Sequence, residues 1–165
     1  MKLVLLFLFA VCFCSLGNTT TNRGVLVQKK LEEVLRQVND VKESLEMMVN
    51  SPPQNIEDCC CLSALKCFQA NLQVHFNITE RKQSKLNKSL RHRLTESGLN
   101  FCNSGMTVLF SLQSTCQDCT SHPKVNVNEF LNRLESLIQR SRITEASLEN
   151  NRQKTENYPI EMKLK

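Results

Sequence analysis

The chain has 165 residues, of which 41% are hydrophobic, 22% are charged and only 5% are aromatic, with no Trp. This length and composition fit one globular domain with an aliphatic core, and they exclude a fibrous or fully disordered chain. The 4 Gly and 4 Pro are too few for a turn-rich sandwich or barrel, so helices are favoured. The formal charge of +5 permits binding to anionic surfaces but does not name a function.

The N-terminus has the pattern of a secretory signal peptide. Lys2 supplies a positive charge, an unbroken apolar run extends from Leu3 to Cys14, and small residues suit a cleavage site after Gly17. The apolar run is shorter than the about 20 residues that cross a bilayer. We therefore expect residues 1–17 to be removed, and the mature chain to be secreted and extracellular, without membrane insertion.

The cysteines indicate an oxidising compartment. Removal of Cys12 and Cys14 with the signal peptide leaves seven of the nine cysteines, which is an odd number. Such a chain can form up to three bridges, with one cysteine free or paired to another molecule. Secretion also disfavours cytosolic DNA binding, so no nucleic-acid partner is expected.

Two helices are predicted in the first half of the mature chain. From Gly24 to Val49 the apolar residues recur at spacings of three and four, which is typical of an amphipathic helix, and Pro52 and Pro53 end it. A second helix is predicted from Leu62 to Phe76. Cys60 and Cys67 are about two helical turns apart, so their sulfurs are expected close to one face.

The second half contains two more predicted helices. A short basic amphipathic helix is predicted over Glu80–Arg93, and a loop with a short buried piece over Leu99–Gln113. The last helix begins near Asn126, which with Glu129 three residues later resembles a capping box. The polar residues 149–165 can bury little surface and are expected to be a disordered tail.

These elements predict an all-α fold in a single domain over residues 18–148. Long helices at both ends, shorter helices between them and connections too long for hairpins indicate a four-helix bundle with crossover loops. Its core has few aromatic side chains, so disulfides are expected to contribute to stability, at about 4 kcal/mol for a loop of about 50 residues. The protein is expected to be a monomer.

No catalytic constellation is visible in the sequence. Cys116 and Cys119 form a C-x-x-C, which suggests a thioredoxin-like site only beside a βαβ pattern, and that pattern is missing. Zinc binding is disfavoured because paired Cys₄ spacing is absent and a secreted chain favours disulfides. The three histidines lack a partnered nucleophile or carboxylate; they are His75, His92 and His122. We therefore expect a protein that is not an enzyme and has no metal or cofactor.

Two other surface features are functional candidates. Three acceptor sequons for N-glycosylation are present in the mature chain, and each would have to be exposed to carry a glycan; they begin at Asn18, Asn77 and Asn87. The basic stretch Arg81–Arg93 suits heparan-like polyanions or an acidic protein surface, and it equally suits a solvated helix face. The basic stretch keeps a secreted cationic or antimicrobial protein as an alternative function. The C-x-x-C motif keeps a secreted thiol oxidoreductase as another.

Two segments resemble the short-chain four-helix cytokines of the interleukin-2, interleukin-15 and interleukin-21 group. The first is Cys60–Gln69, with a Cys-x₆-Cys-Phe element. The second is Cys116–Gln139, where C-x-x-C is followed by Glu129-Phe130-Leu131 and by a glutamine ten residues after Glu129. The resemblance covers about residues 25–76 and 116–143 and is poor between them.

The resemblance implies an up-up-down-down bundle stapled by two disulfides. Spacing alone leaves three pairings open for four cysteines. Cys59, Cys61 and Cys102 depart from the family pattern, and one of the first two is a candidate to bridge Cys102, which would leave the other free. The implied bridges are Cys60–Cys116 and Cys67–Cys119.

The resemblance also implies signalling through two receptor chains. The family brings a private type I receptor chain together with the common gamma chain, which activates JAK-STAT signalling in lymphocytes. Gln139 matches the family's common-gamma-chain contact, and nearby Arg142 is a cation where the family looks apolar. The private chain is met by the first and third helices. The matching positions are Lys29, Lys30, Glu33, Arg36, Gln37, Lys82, Lys85, Lys88 and Arg91.

Overall fold

The computed structural model describes residues 23–42, 47–77, 79–100 and 116–156. The predicted signal peptide, the Asn18 sequon, Cys102 and most of the predicted loop over Leu99–Gln113 lie outside these ranges, as do residues 157–165 of the predicted tail.

The described residues are mainly helical, which confirms the all-α class. Five α-helices and one short two-stranded ribbon are present in these ranges, together with two 3₁₀ turns. The helices are α1 (23–41), α2 (Cys61–His75), α3 (Arg81–Leu90), α4 (Arg93–Gly98) and α5 (Val127–Glu156). The strands are β1 (Met48–Asn50) and β2 (Lys124–Asn126), and the turns are Asp58–Cys60 and Cys119–Ser121.

The ribbon joins the two segments that precede α2 and α5. β1 and β2 run antiparallel, with Val49 opposite Val125, and Ser51 N donates to Pro123 O at 3.0 Å beyond the last pair. The predicted helix over Gly24–Val49 is therefore wrong at its C-terminal end. Val49 is 1% exposed because it packs on the core from strand β1. It is apolar for that reason, and its position matched the helical spacing by coincidence.

α5 begins as predicted and ends later than predicted. Asn126 Oδ1 accepts a hydrogen bond from Glu129 N at 2.8 Å, which satisfies one of the unpaired amides of the first turn. The helix then continues to Glu156, so the prediction of a disordered tail from residue 149 is wrong as far as residue 156. A helix that is already formed gains one hydrogen bond for each residue it adds, so polar residues can extend it without an apolar face.

The predicted basic helix over Glu80–Arg93 corresponds to α3, and a further short helix, α4, follows it after a break. α3 ends at Leu90, and His92 starts α4 by accepting a hydrogen bond from Leu94 N through Nδ1, at 3.2 Å. The Thr95 hydroxyl donates to Ser89 O at 2.7 Å across this break, and both groups are buried. Six residues are too few to show a helical period, which is why α4 was not predicted.

The core is aliphatic, with one aromatic cluster. Buried side chains of α1, α2, α3 and α5 meet in it, including Leu31, Leu65, Leu86 and Leu134. The rings of Phe68 and Phe130 lie edge to face with their centroids 5.0 Å apart, and the centroids of Phe76 and Phe130 are 5.8 Å apart. Such ring pairs contribute about 0.5–1.5 kcal/mol beyond the area they bury.

Gly98 lies where α4 comes closest to α1 and α5, and we expect Gly98→Ala to destabilise the protein. An added Cβ would lie 2.8 Å from Val27 Cγ1 and 3.2 Å from Leu31 Cδ1. Val27 is buried and β-branched, so it cannot easily rotate away. Overpacking costs about 1–3 kcal/mol, which exceeds the up to about 1 kcal/mol that Ala gains over Gly in a helix.

Urea unfolding followed by circular dichroism measures this difference. Gly24→Ala, in the first turn of α1, is the matched control and should be neutral or stabilising. A Gly98→Ala protein that is at least as stable as the parent would contradict the close packing of Val27 and Leu31 against Gly98.

Candidate functional site

Two disulfides fix the start of α2 to the segment before β2. Cys60 pairs with Cys116 and Cys67 pairs with Cys119, with Cα–Cα distances of 5.4 and 5.2 Å. These are the two pairs that the cytokine resemblance implied. Because Cys116 and Cys119 bond to different partners, the C-x-x-C does not close on itself, so the redox couple of the oxidoreductase alternative is not formed.

The cysteines on either side of Cys60 lie in a polar environment. Cys61 is fully buried, and its sulfur lies 2.7 Å from Arg140 Nη2 and 3.6 Å from Glu57 O. Cys59 is half-buried, with its sulfur 3.7 Å from Glu57 Oε2. The proposed bridge to Cys102 stays a prediction, since Cys102 lies outside the described residues.

One group of side chains in the described ranges has the spacing of metal ligands. It consists of Glu57, Cys59 and Cys60. The Cys60 sulfur is already bonded to Cys116, so only two donors remain, whereas a structural zinc site needs four. The group does not fit a metal ion.

A polar cluster joins α1 to α3. Lys30 Nζ lies 3.0 Å from Glu33 Oε2 and 3.1 Å from Ser89 Oγ, and Gln37 Nε2 donates to Glu33 Oε1 at 2.8 Å. The hydrogen bond from Lys30 is the main reason why the pKa of Glu33 is lowered, against the opposing effect of burial. The structure therefore brings the predicted private-receptor positions of the first and third helices onto neighbouring surfaces.

Not all of those positions are available to a partner. Gln37 is 9% exposed and bonded to Glu33, so the structure places it beneath the surface that the other predicted positions form. A buried glutamine with a local partner cannot be told from a surface glutamine by its place in the sequence. Lys30 and Glu33 are half-buried. The exposed positions are Lys29, Arg36, Lys82, Lys85, Lys88 and Arg91.

The outer face of α3 carries a basic stripe. With 3.6 residues per turn, Arg81, Lys85 and Lys88 fall within a sector of about 60°, and all three are exposed. Leu86 and Leu90 are buried on the opposite side of the same helix. We use the name basic stripe for Arg81, Lys85 and Lys88.

A groove of about 450 Å³ runs between α1 and α5. Gln139 is exposed in it, and its Nε2 donates to Glu135 Oε1 at 3.1 Å. Arg142 is held from α1 by two contacts: its Nη2 lies 2.7 Å from Glu32 Oε1, and its carbonyl oxygen accepts from Gln28 Nε2 at 2.8 Å. The lining residues are Gln28, Leu35, Gln139, Arg142, Ile143 and Ala146.

Ile143 is an apolar groove residue that the sequence interpretation did not include among the site residues. Its side chain is 68% exposed, and it lines the groove together with Gln139. The sequence does contain a signal for it, because at 3.6 residues per turn Ile143 lies opposite the buried stripe of α5 that includes Phe130, Leu134 and Ile138. The groove therefore combines an apolar side chain with the polar end of Gln139.

A second cavity, of about 250 Å³, lies beside the Cys60–Cys116 bridge and includes His122 in its wall. His122 is 5% exposed, and its Nδ1 has no hydrogen-bond partner among the described residues. Burial lowers the pKa of His122 below its usual value, Asp118 opposes this shift, and Arg133 adds to it. The folded protein therefore holds His122 in its neutral form near neutral pH.

We expect His122 to make the protein less stable in mild acid. The unfolded chain takes up a proton as the pH falls below about 6.5, whereas the folded chain resists until its lower pKa is reached, so stability is lost over that interval. Urea midpoints at pH 7.5 and 5.5 measure the loss, and His122→Gln should reduce it. His75→Gln, which changes an exposed histidine, is the control. Equal pH dependence in both variants would contradict the assignment to His122.

No protein-family model matches the sequence. Among the described residues, no helix combines the length and the apolar character needed to cross a membrane.

Proposed function

We propose that this protein is a secreted cytokine, most similar to interleukin-21 within its group, that acts by joining two receptor chains and has no catalytic step. The disulfide pairing is the observation that carries the proposal. Four cysteines can pair in three ways, and the observed way, Cys60 with Cys116 and Cys67 with Cys119, is the one that the cytokine resemblance implies. The resemblance itself is carried by short segments around these same cysteines.

The proposed architecture is an up-up-down-down four-helix bundle. In this arrangement α1 and α2 are the first two helices, α3 with α4 forms the third, and α5 is the fourth. The antiparallel ribbon supports it, because β1 lies in the connection between α1 and α2 and β2 lies in the connection that leads to α5. An up-up-down-down bundle has two long crossover connections, and two such connections can lie side by side and pair as strands.

Two receptor surfaces would lie on opposite sides of α1. At about 100° per residue, Gln28 and Leu35 fall on one side of its buried stripe, towards the groove with α5. Lys30 and Glu33 fall on the other side, towards α3. We assign the groove, with Gln139, to the common gamma chain and the α1–α3 side to the private chain. The exposed side chains Lys29 and Arg36 lie between the two surfaces.

The proposed mechanism is binding at two sites in sequence. Capture by one receptor chain holds the cytokine at the membrane, and this raises its effective concentration for the second chain. Juxtaposed receptor tails then start JAK-STAT signalling in lymphocytes. The basic charges on the α3 side would act mainly on the association rate with the private chain.

The test is assembly of a complex from purified parts. The mature protein is mixed with the ectodomains of a private chain and of the common gamma chain, alone and together, and the complexes are separated by size-exclusion chromatography. We expect a complex of three chains, with the private chain able to bind by itself. Parallel trials with interleukin-2, interleukin-15 and interleukin-21 private chains distinguish between the family members. Binding to none of these chains would overturn the proposal.

A second candidate function is supported by the basic stripe. Three exposed cations on one face of α3 suit a sulfated polysaccharide or another polyanion. A secreted cationic protein of this kind would elute from a heparin column at a salt concentration that falls steeply when Lys85 and Lys88 are replaced by Gln. Strong salt dependence without preference for any receptor chain would favour this function over the cytokine.

A further inference from the structure

The two sequons in the described ranges occupy very different places in the fold. Asn77 lies just after α2, whereas Asn87 lies inside α3. N-glycosylation needs an asparagine amide and a hydroxyl two residues later that are both accessible. Both sequons match the acceptor pattern, so only their structural surroundings can indicate which one is glycosylated.

The sequon at Asn77 is exposed and outside regular structure. Asn77 and Thr79 are both exposed, and Asn77 Oδ1 accepts hydrogen bonds from Thr79 N at 3.2 Å and from Thr79 Oγ1 at 2.5 Å. The amide and the hydroxyl of the sequon therefore already lie side by side on the surface. A glycan on Asn77 would require no change in α2 or α3.

The sequon at Asn87 is part of the packing between helices. Ser89 is 5% exposed, its hydroxyl lies 3.1 Å from Lys30 Nζ and 3.5 Å from Glu33 Oε1, and its carbonyl accepts from Thr95 Oγ1. Asn87 is half-buried and accepts a hydrogen bond from Arg91 Nε at 3.3 Å. Exposing this sequon would break the contact between α1 and α3.

The order of folding events also favours glycosylation at Asn77 over Asn87. The chain is made at about 5–20 residues per second, whereas a helix forms within about a microsecond. α1 precedes α3, so Lys30 and Glu33, the α1 partners of the Ser89 hydroxyl, are already present when α3 emerges. Asn77 stays exposed whether or not these helices have packed.

We infer that Asn77 carries an N-linked glycan and that Asn87 does not; this rests on the secretion included in the proposed function. In the transfer, Asn77 Nδ2 loses a proton and bonds to the anomeric carbon of an oligosaccharide. The bond from that carbon to the pyrophosphate of a lipid-linked donor breaks, and the lipid pyrophosphate leaves.

An exposed apolar side chain three residues before Asn77 gives the glycan a physical role. Val74, in the last turn of α2, is 75% exposed. Glycans are bulky and solubilising, so one on Asn77 would cover this surface. Loss of the glycan should then favour association of molecules through Val74.

The experiment maps glycans on the full chain expressed in cultured animal cells. Peptide N-glycosidase converts each glycosylated asparagine to aspartate, and mass spectrometry locates the change. We expect it in the peptide that contains Asn77, with the peptide containing Asn87 unchanged. Asn77→Gln and Thr79→Ala should both remove it, and Asn87→Gln should not. The Asn18 peptide is read separately.

The outcomes separate this inference from the proposed function. An unmodified Asn77 or a modified Asn87, in secreted chains or in chains retained in the cell, overturns the inference, even if the protein binds receptors. Asn77→Gln should also lower the recovery of monomer, and Val74→Ser in the same chain should restore it. Failure of that rescue would overturn the role assigned to Val74. Receptor binding by the parent protein tests the cytokine function independently.

Discussion

Gln139→Asp should reduce signalling through the two receptor chains at least tenfold and leave capture by the private chain unchanged. Gln139 is exposed in the α1–α5 groove, so a partner that fills the groove would remove its side chain from water. The new carboxylate would then be buried, and Arg142, the cation that lines the same groove, is already paired with Glu32. A tenfold loss needs only about 1.4 kcal/mol. Glu135, which now accepts a hydrogen bond from Gln139, would face a like charge one turn away.

The measurement combines a reporter cell that carries both receptor chains with binding assays on each ectodomain. Asn128→Asp is the control, because it adds the same negative charge at another exposed position of α5. Gln139 follows Asn128 by eleven residues, which is about 17 Å along the helix and about three full turns, so both side chains face the same direction. Full signalling by Gln139→Asp would remove this residue from the receptor surface.

Arg142 is a cation at a position where the cytokines that the sequence resembles look apolar, and its contacts show how the fold accommodates it. A cation at this place in the groove would oppose an apolar partner surface if it were unpaired. Its guanidinium instead lies 2.7 Å from Glu32 on α1, and both side chains are partly exposed. Because Glu32 neutralises the guanidinium, the methylene groups of Arg142 can pack beside Ile143 as part of a contact surface.

The helices whose apolar residues face one core were predictable from the sequence. α2 was predicted within a residue at each end, and α5 was predicted from its spacing and its Asn126 cap. Both elements have their period set by a single buried face. The ribbon was not predictable, because Val49 is buried by pairing with a strand far away in the chain, and helical spacing cannot reveal such a partner.

The candidate site was predicted in part, for related reasons. Its exposed charges were recognisable because Lys29, Lys85 and Lys88 lie on polar helix faces. The burial of Gln37 was not predictable, because its place in the sequence does not reveal its hydrogen bond to Glu33. The groove required coordinates, since it exists only where α1 and α5 lie side by side.

The largest loss of stability is expected when both disulfides are removed. Each closes a loop of more than 50 residues, 56 for Cys60–Cys116 and 52 for Cys67–Cys119, so either bridge alone would stabilise the protein by about 4 kcal/mol in the chain-entropy model. With one bridge in place, however, the other closes only a short path of about ten residues and adds about 3 kcal/mol. The two contributions are therefore not independent.

Replacing both cysteines of one bridge by Ser should thus cost about 3 kcal/mol, and replacing all four should cost about 7 kcal/mol, more than the two single losses combined. A protein of this size has about 5–15 kcal/mol in total, so the fourfold variant should be largely unfolded at 37 °C. Both partners must be replaced in each variant, because a lone Cys116 could pair with Cys59 or Cys61. Urea unfolding of the three variants and the parent measures these losses. Single losses that add up to the double loss or exceed it would show that the bridges act on the native packing instead of the unfolded chain.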